Sequence, residues 1–129
     1  MHLIIDGYGS TPELLKDEQF IYHFLDTYPG KIGMTKISPP YVTHYTQGKP
    51  EDWGISGFVF IAESHISIHT FEQRGAVNID IFSCKDFDDE KIIQELHQAL
   101  HLTRLRVHLI DRNLEALAVP EEKAAATKA

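Results

Sequence analysis

The chain has one cysteine, Cys84, in 129 residues. A lone thiol cannot close an intramolecular disulfide, so the sequence fits a reducing compartment, and the thiol is either packed or reactive. Positive charge is scarce: 12 Lys and Arg against 19 Asp and Glu leave a net −7. This balance argues against general nucleic-acid binding, which needs a basic stripe, whereas an acidic surface would tolerate a cationic small molecule. Long apolar runs are missing. No segment reaches the roughly twenty residues that span a bilayer, and Met1 to Asp6 lacks both the basic start and the apolar length of a signal peptide. A cytoplasmic protein without a membrane partner is expected. Repeats and linkers are absent too, so residues 1–129 are read as one domain with a real core.

The apolar pattern switches period along the chain. Leu3 to Asp6 reads as a short buried strand. Thr11 can cap a helix with Pro12 in its first turn, and Leu14, Phe20, Ile21, Phe24 and Leu25 continue a helical face to Pro29-Gly30. Ile32 to Ile37 is expected as a strand stopped by Ser38-Pro39-Pro40, and Val42 to Trp53 as a loop. From Ile55 strand signals return: Phe58 to Ala62 is apolar, Ser64 to Phe71 alternates, and Val77, Ile79 and Ile81 alternate after a turn at Gln73-Arg74-Gly75. Asp88 to Leu102 is an amphipathic helix with Ile92, Ile93, Leu96, Ala99 and Leu100 as its buried stripe, and Arg104 to Ile110 a last strand. The tail from Glu121 is polar and expected to fray. This order predicts an α+β fold, a two-layer sandwich with helices on one face of a mostly antiparallel sheet.

Chemistry concentrates between Gly54 and Cys84. On a strand His65, Ser67, His69 and Phe71 share one side, and Ser64, Ile66, Ile68 and Thr70 the other. His65 and His69 lie roughly 13 Å apart along such a strand, too far to chelate one metal. His97 and His101 have helical spacing but no carboxylate or thiol partner in the pattern, so no metal site is expected. The Ser64 hydroxyl could attack the Glu63 carbonyl and convert the peptide bond to an ester, given a base or donor such as His69 or Ser56. Elimination would then release Glu63 as a new carboxyl terminus and leave a dehydroalanine that hydrolyses to a pyruvoyl group. Taken singly, each residue also has a structural explanation: a serine bonding a turn, a solvated histidine, a packed thiol.

The run ESHISIHT, preceded by GISG and followed by NIDIFSC, resembles the bacterial and archaeal S-adenosylmethionine decarboxylases, small proenzymes that make their own pyruvoyl cofactor. The resemblance implies cleavage between Glu63 and Ser64, giving a β chain of residues 1–63 and an α chain of residues 64–129. Ser64 becomes the pyruvoyl group that takes the substrate amine as a Schiff base. Ser56 and His69 match processing residues, and Cys84 matches the acid that protonates the product carbon. It also implies a homodimer with active sites near the subunit contact, and a product that serves spermidine synthesis.

Two departures from the family pattern concern the substrate. Tryptophan, proline and glutamate follow the histidine-threonine pair in many members, where this chain has Phe71, Glu72 and Gln73. Phe71 can still stack on adenine and Gln73 can still bond ribose, though without a carboxylate's charge. The stretch from Tyr45 to Trp53 is also longer than the family's aromatic-containing segment. Two other readings therefore stand beside the first: a pyruvoyl-dependent decarboxylase of arginine or ornithine, and a non-enzymatic relative.

Overall fold

The structure, a computed structural model, describes residues 1–118. The expected fraying from Glu121 lies outside the described residues. The elements in chain order are β1 (His2–Tyr8), α1 (Pro12–Leu15), α2 (Glu18–Lys31), β2 (Thr35–Lys36), β3 (Tyr41–Tyr45), β4 (Gly54–Ala62), β5 (Ser64–Phe71), β6 (Ala76–Phe82), α3 (Asp89–Ala99) and β7 (Arg104–Ile110). Two 3-10 turns, Pro50–Asp52 and Leu114–Ala118, lie outside this framework.

All strands join one antiparallel sheet in the order β2-β4-β5-β6-β1-β7, and β3 also pairs with β4. Because β5 occupies one edge of β4, β2 and β3 follow each other along the opposite edge. The helices cover one face of the sheet, as the α+β reading requires. Leu3, Ile5, Ile55, Val59, Ile61, Ile66, Ile68, Val77, Ile79 and Ile81 point into that layer and are buried. Against them pack Leu15, Ile21, Leu25, Ile92, Leu96 and Leu100, each at most 1% exposed. The Thr70 hydroxyl adds a polar joint: it accepts from the Ile55 amide at 2.9 Å and donates to the Leu15 carbonyl at 2.7 Å, linking β4, β5 and α1.

The opposite face carries the other half of each alternation: Tyr41, Ser56, Phe58, Phe60, His65, His69, Asn78, Asp80, Asp6 and Arg106 among them. Tyr41, Phe58 and Phe60 are exposed there and pack in a row, the first pair tilted and the second edge-to-face, with ring centroids 5.8 and 5.3 Å apart. No helix among the described residues is long and apolar enough to cross a membrane.

Four expectations change. The first helix is two helices, because Asp17 caps a new one by accepting from the Phe20 amide at 3.1 Å. The second of these runs through Pro29 to Lys31, since a proline in the last turn removes only one late bond. The strand at Ile32–Ile37 shrinks to Thr35–Lys36, after Gly33 takes a positive φ of 76° and Met34 folds into the core. Val42 to Tyr45, the start of the stretch read as loop, belong to strand β3. Finally, α3 ends at Ala99, so Ala99 is exposed and His101 lies beyond the helix with φ 53°.

Candidate active site

The β4–β5 connection is short. Ile61 pairs with Ser64, leaving Ala62 and Glu63 as the tip of the hairpin. His65 pairs in turn with Phe82, which carries the chain leaving β6 past that tip and sets Cys84 against it. The Ser64 hydroxyl hydrogen-bonds the Glu63 carbonyl oxygen. The Cys84 thiol donates toward the same oxygen at 3.6 Å, and its sulfur is 4.0 Å from Ser64 Oγ. Cys84 is exposed. Nucleophile, target carbonyl and thiol are therefore in mutual contact.

Beside them opens a cavity of about 860 Å³, with Phe82, Cys84, Asp86, Asp111, Arg112 and Glu115 on its walls. The Arg112 guanidinium lies 4.4 Å above the centre of the Phe82 ring and bonds His2 Nδ1 at 3.3 Å. Arginine can only donate, so His2 Nδ1 accepts and its Nε2 carries the proton given to Asp80 at 3.0 Å. Sequence reading missed this chain of contacts, because its members come from β1, β6 and the segment after β7.

The other expected residues gather elsewhere. Ser56 and His69 are cross-strand partners, and Ser56 Oγ lies 2.9 Å from His69 Nδ1. His69 stands five residues along β5 from Ser64, roughly 16 Å in an extended strand. Phe71 and Gln73 lie further still in that direction. The seven candidates thus fall into two sets at opposite ends of β5: Glu63, Ser64 and Cys84 at one, Ser56, His69, Phe71 and Gln73 at the other.

At this second end Glu72 is buried and accepts from His44 Nε2 at 2.5 Å, while Glu18 lies 3.6 Å from His44 Nδ1. Its carboxylate is thus engaged beneath the sheet, as the opposite facing of adjacent strand positions requires. Gln73 is exposed at the turn, and Phe71 is half-buried beside Arg74. Gly75 closes this turn with φ 67°, and a Cβ there would meet the Ser10 carbonyl oxygen at 2.8 Å.

Among the described residues no group of three or more His, Cys, Asp or Glu side chains is arranged to hold a metal ion.

Comparison with known proteins supplies independent findings. The family model described as S-adenosylmethionine decarboxylase matches residues 1–113. A protein from Archaeoglobus fulgidus named S-adenosylmethionine decarboxylase proenzyme is 34% identical over 112 residues, covering 86% of this chain and 95% of that protein. One of the same name from Aquifex aeolicus is 30% identical over 123 residues, covering 95% of this chain and 84% of that protein. The crystal structure of the adenosylmethionine decarboxylase from Aquifex aeolicus superposes with a TM-score of 0.68 at 24% identity, over 87% of this chain and 92% of that one. That likeness concerns the fold.

Proposed function

The chain belongs to the S-adenosylmethionine decarboxylase family, and from that premise we propose that it is a cytoplasmic, self-processing enzyme that removes the carboxylate of S-adenosylmethionine. The observation that carries the reading is the contact of Ser64 Oγ and Cys84 Sγ with one carbonyl, that of Glu63. The hydroxyl oxygen adds to the Glu63 carbonyl carbon, its proton passes to the Ser64 nitrogen, and the peptide C–N bond gives way to an ester. The thiol, donating to the same carbonyl oxygen, polarises it for attack. Loss of the Ser64 Cα proton then expels the Glu63 carboxylate, ending one chain at residue 63. The dehydroalanine that begins the other takes up water and releases ammonia to become a pyruvoyl group.

That group fits the donor set, since it would form where Ser64 already touches Cys84. Its ketone supplies the electron sink that lets a carboxylate leave as carbon dioxide. Cys84, exposed beside the Ser64 position, would return a proton to the substrate carbon.

His69 is the candidate base for the elimination, since a neutral imidazole nitrogen can accept a proton. It cannot reach Ser64 of its own chain across some 16 Å of strand. A second copy, related by a two-fold axis and laid on the open sheet face, would bring the His69 end of one chain to the Ser64 end of the other, twice over. The exposed Tyr41, Phe58 and Phe60 rings on that face suit such burial. The working unit is thus a homodimer with two shared sites.

Intact mass combined with a substrate panel tests this. The purified chain is expected to yield fragments 1–63 and 64–129, the second lacking an ordinary N-terminal serine, and to release carbon dioxide from S-adenosylmethionine. Ser64→Ala should remain one uncut, inactive chain. An uncut wild-type chain that is active, or carbon dioxide released only from arginine or ornithine, would overturn the reading.

A further inference from the structure

The two departures from the family pattern, the long β3–β4 loop and the residues after Thr70, are one structural unit. Three tethers join them. The Glu72 amide donates to the Trp53 carbonyl at 3.2 Å, Arg74 Nε donates to the Glu51 carbonyl at 2.8 Å, and Arg74 Nη2 donates to the Asp52 carboxylate at 3.1 Å. The loop is braced internally: Trp53 Nε1 donates to the Gln47 carbonyl at 3.1 Å, and Pro50–Asp52 forms a 3-10 turn. The turn is anchored from below by the Glu72–His44 pair. Arg74 also lies over the Phe71 ring, with Cζ 5.9 Å from its centre. One guanidinium thus reaches both the loop and the Phe71 ring.

We propose that Arg74 is a specificity-determining residue, a latch that makes the β3–β4 loop the second wall of the nucleoside end of the substrate site. Arg74 acts here through the loop and through Phe71, so it is a positioning residue, remote from the bond-breaking chemistry at Ser64. The inference rests on the decarboxylase reading and on Phe71 receiving the base. An arginine suits the role because its fork engages a backbone carbonyl and a carboxylate together, which lysine cannot do in the same geometry. Both Arg74 and Asp52 are about half exposed, so the latch is of moderate strength and can yield to a ligand.

The test uses the mature full-length enzyme, with adenosine as a competitive probe of the nucleoside end. Arg74→Ala should cleave itself as completely as wild type and keep its kcat. Its KM for S-adenosylmethionine and its inhibition constant for adenosine should both rise, by about three- to tenfold. Asp52→Asn should shift both in the same direction by less, and the double variant should fall short of the product of the two single effects. An unchanged adenosine constant, a fall in kcat without a change in KM, or incomplete self-cleavage in Arg74→Ala would overturn the latch. A wild-type chain that neither cleaves nor releases carbon dioxide would instead overturn the decarboxylase reading beneath it.

Discussion

Glu63 occupies the tip of a two-residue connection, and Cys84 is the second residue past the end of β6. Pairing of His65 with Phe82 brings the two together, so the thiol's position follows from strand register. In the proposed mechanism two roles meet on one sulfur, polarising the Glu63 carbonyl before cleavage and donating a proton after it. The second needs an acidic S–H, the first only a weak donor that other dipoles can partly replace. Cys84→Ala is therefore expected to cleave itself, more slowly than wild type, but to lose at least about a hundredfold in turnover, the usual scale for removing a positioned proton donor. Cleavage followed by mass spectrometry, with turnover followed by carbon dioxide release, checks both halves. Turnover near wild type would remove Cys84 from the acid role. The Glu63–Ser64 contact was legible from sequence because the two groups are covalent neighbours. The Cys84 role came from resemblance to the family.

Elements were legible where alternation was clean. β5, β6 and β7 lie where Ile, Val and Leu recur with period two, and β4 where the apolar run Phe58 to Ala62 stands. β3 escaped because His44, a polar residue, takes an inward position. It is tolerated there because Glu72 and Glu18 supply carboxylates to its ring, partners from 28 residues later and 26 residues earlier in the chain. The break between α1 and α2 escaped because Asp17 falls inside a continuous apolar periodicity. Contacts between helices were equally hidden. The Tyr28 hydroxyl of α2 donates to Glu95 of α3 at 3.1 Å. Burial first, and then the Glu95 carboxylate, push that hydroxyl well above the ordinary tyrosine range. The folded protein thus favours the neutral phenol. Its contribution to stability is complete below the ordinary pKa near 10 and is lost as pH rises beyond it. Melting temperatures measured from pH 8 to 11 should show wild type losing more stability above pH 10 than Tyr28→Phe, which has no phenol to ionise. Parallel curves would show that the Tyr28–Glu95 bond does not contribute in solution.

At the scale of the whole molecule, the seven candidate residues divide between the two ends of one strand. The two-fold partner proposed above would reunite them, which makes a mixed-dimer experiment decisive. Ser64→Ala retains His69, and His69→Ala retains Ser64. Each alone should process poorly or not at all. Mixed together, with exchange or co-expression, the His69→Ala chain should be cut by the histidine of its partner, restoring about one site in each mixed dimer. Failure to cut in verified mixed dimers would place the base within the same chain and remove the shared-site reading.

The sequence by itself determined the period of each main strand, the side on which each strand residue lies, and the adjacency of the proposed reacting pair Glu63-Ser64. These are properties of neighbouring residues and of local backbone geometry. Tertiary structure alone decided which distant residues meet: Cys84 with the Glu63 carbonyl, His44 with Glu72, Arg74 with the loop at Glu51 and Asp52. The distance between His69 and Ser64, five positions apart in one strand, followed already from the strand reading. An extended strand holds its residues apart as rigidly as register brings residues of neighbouring strands together.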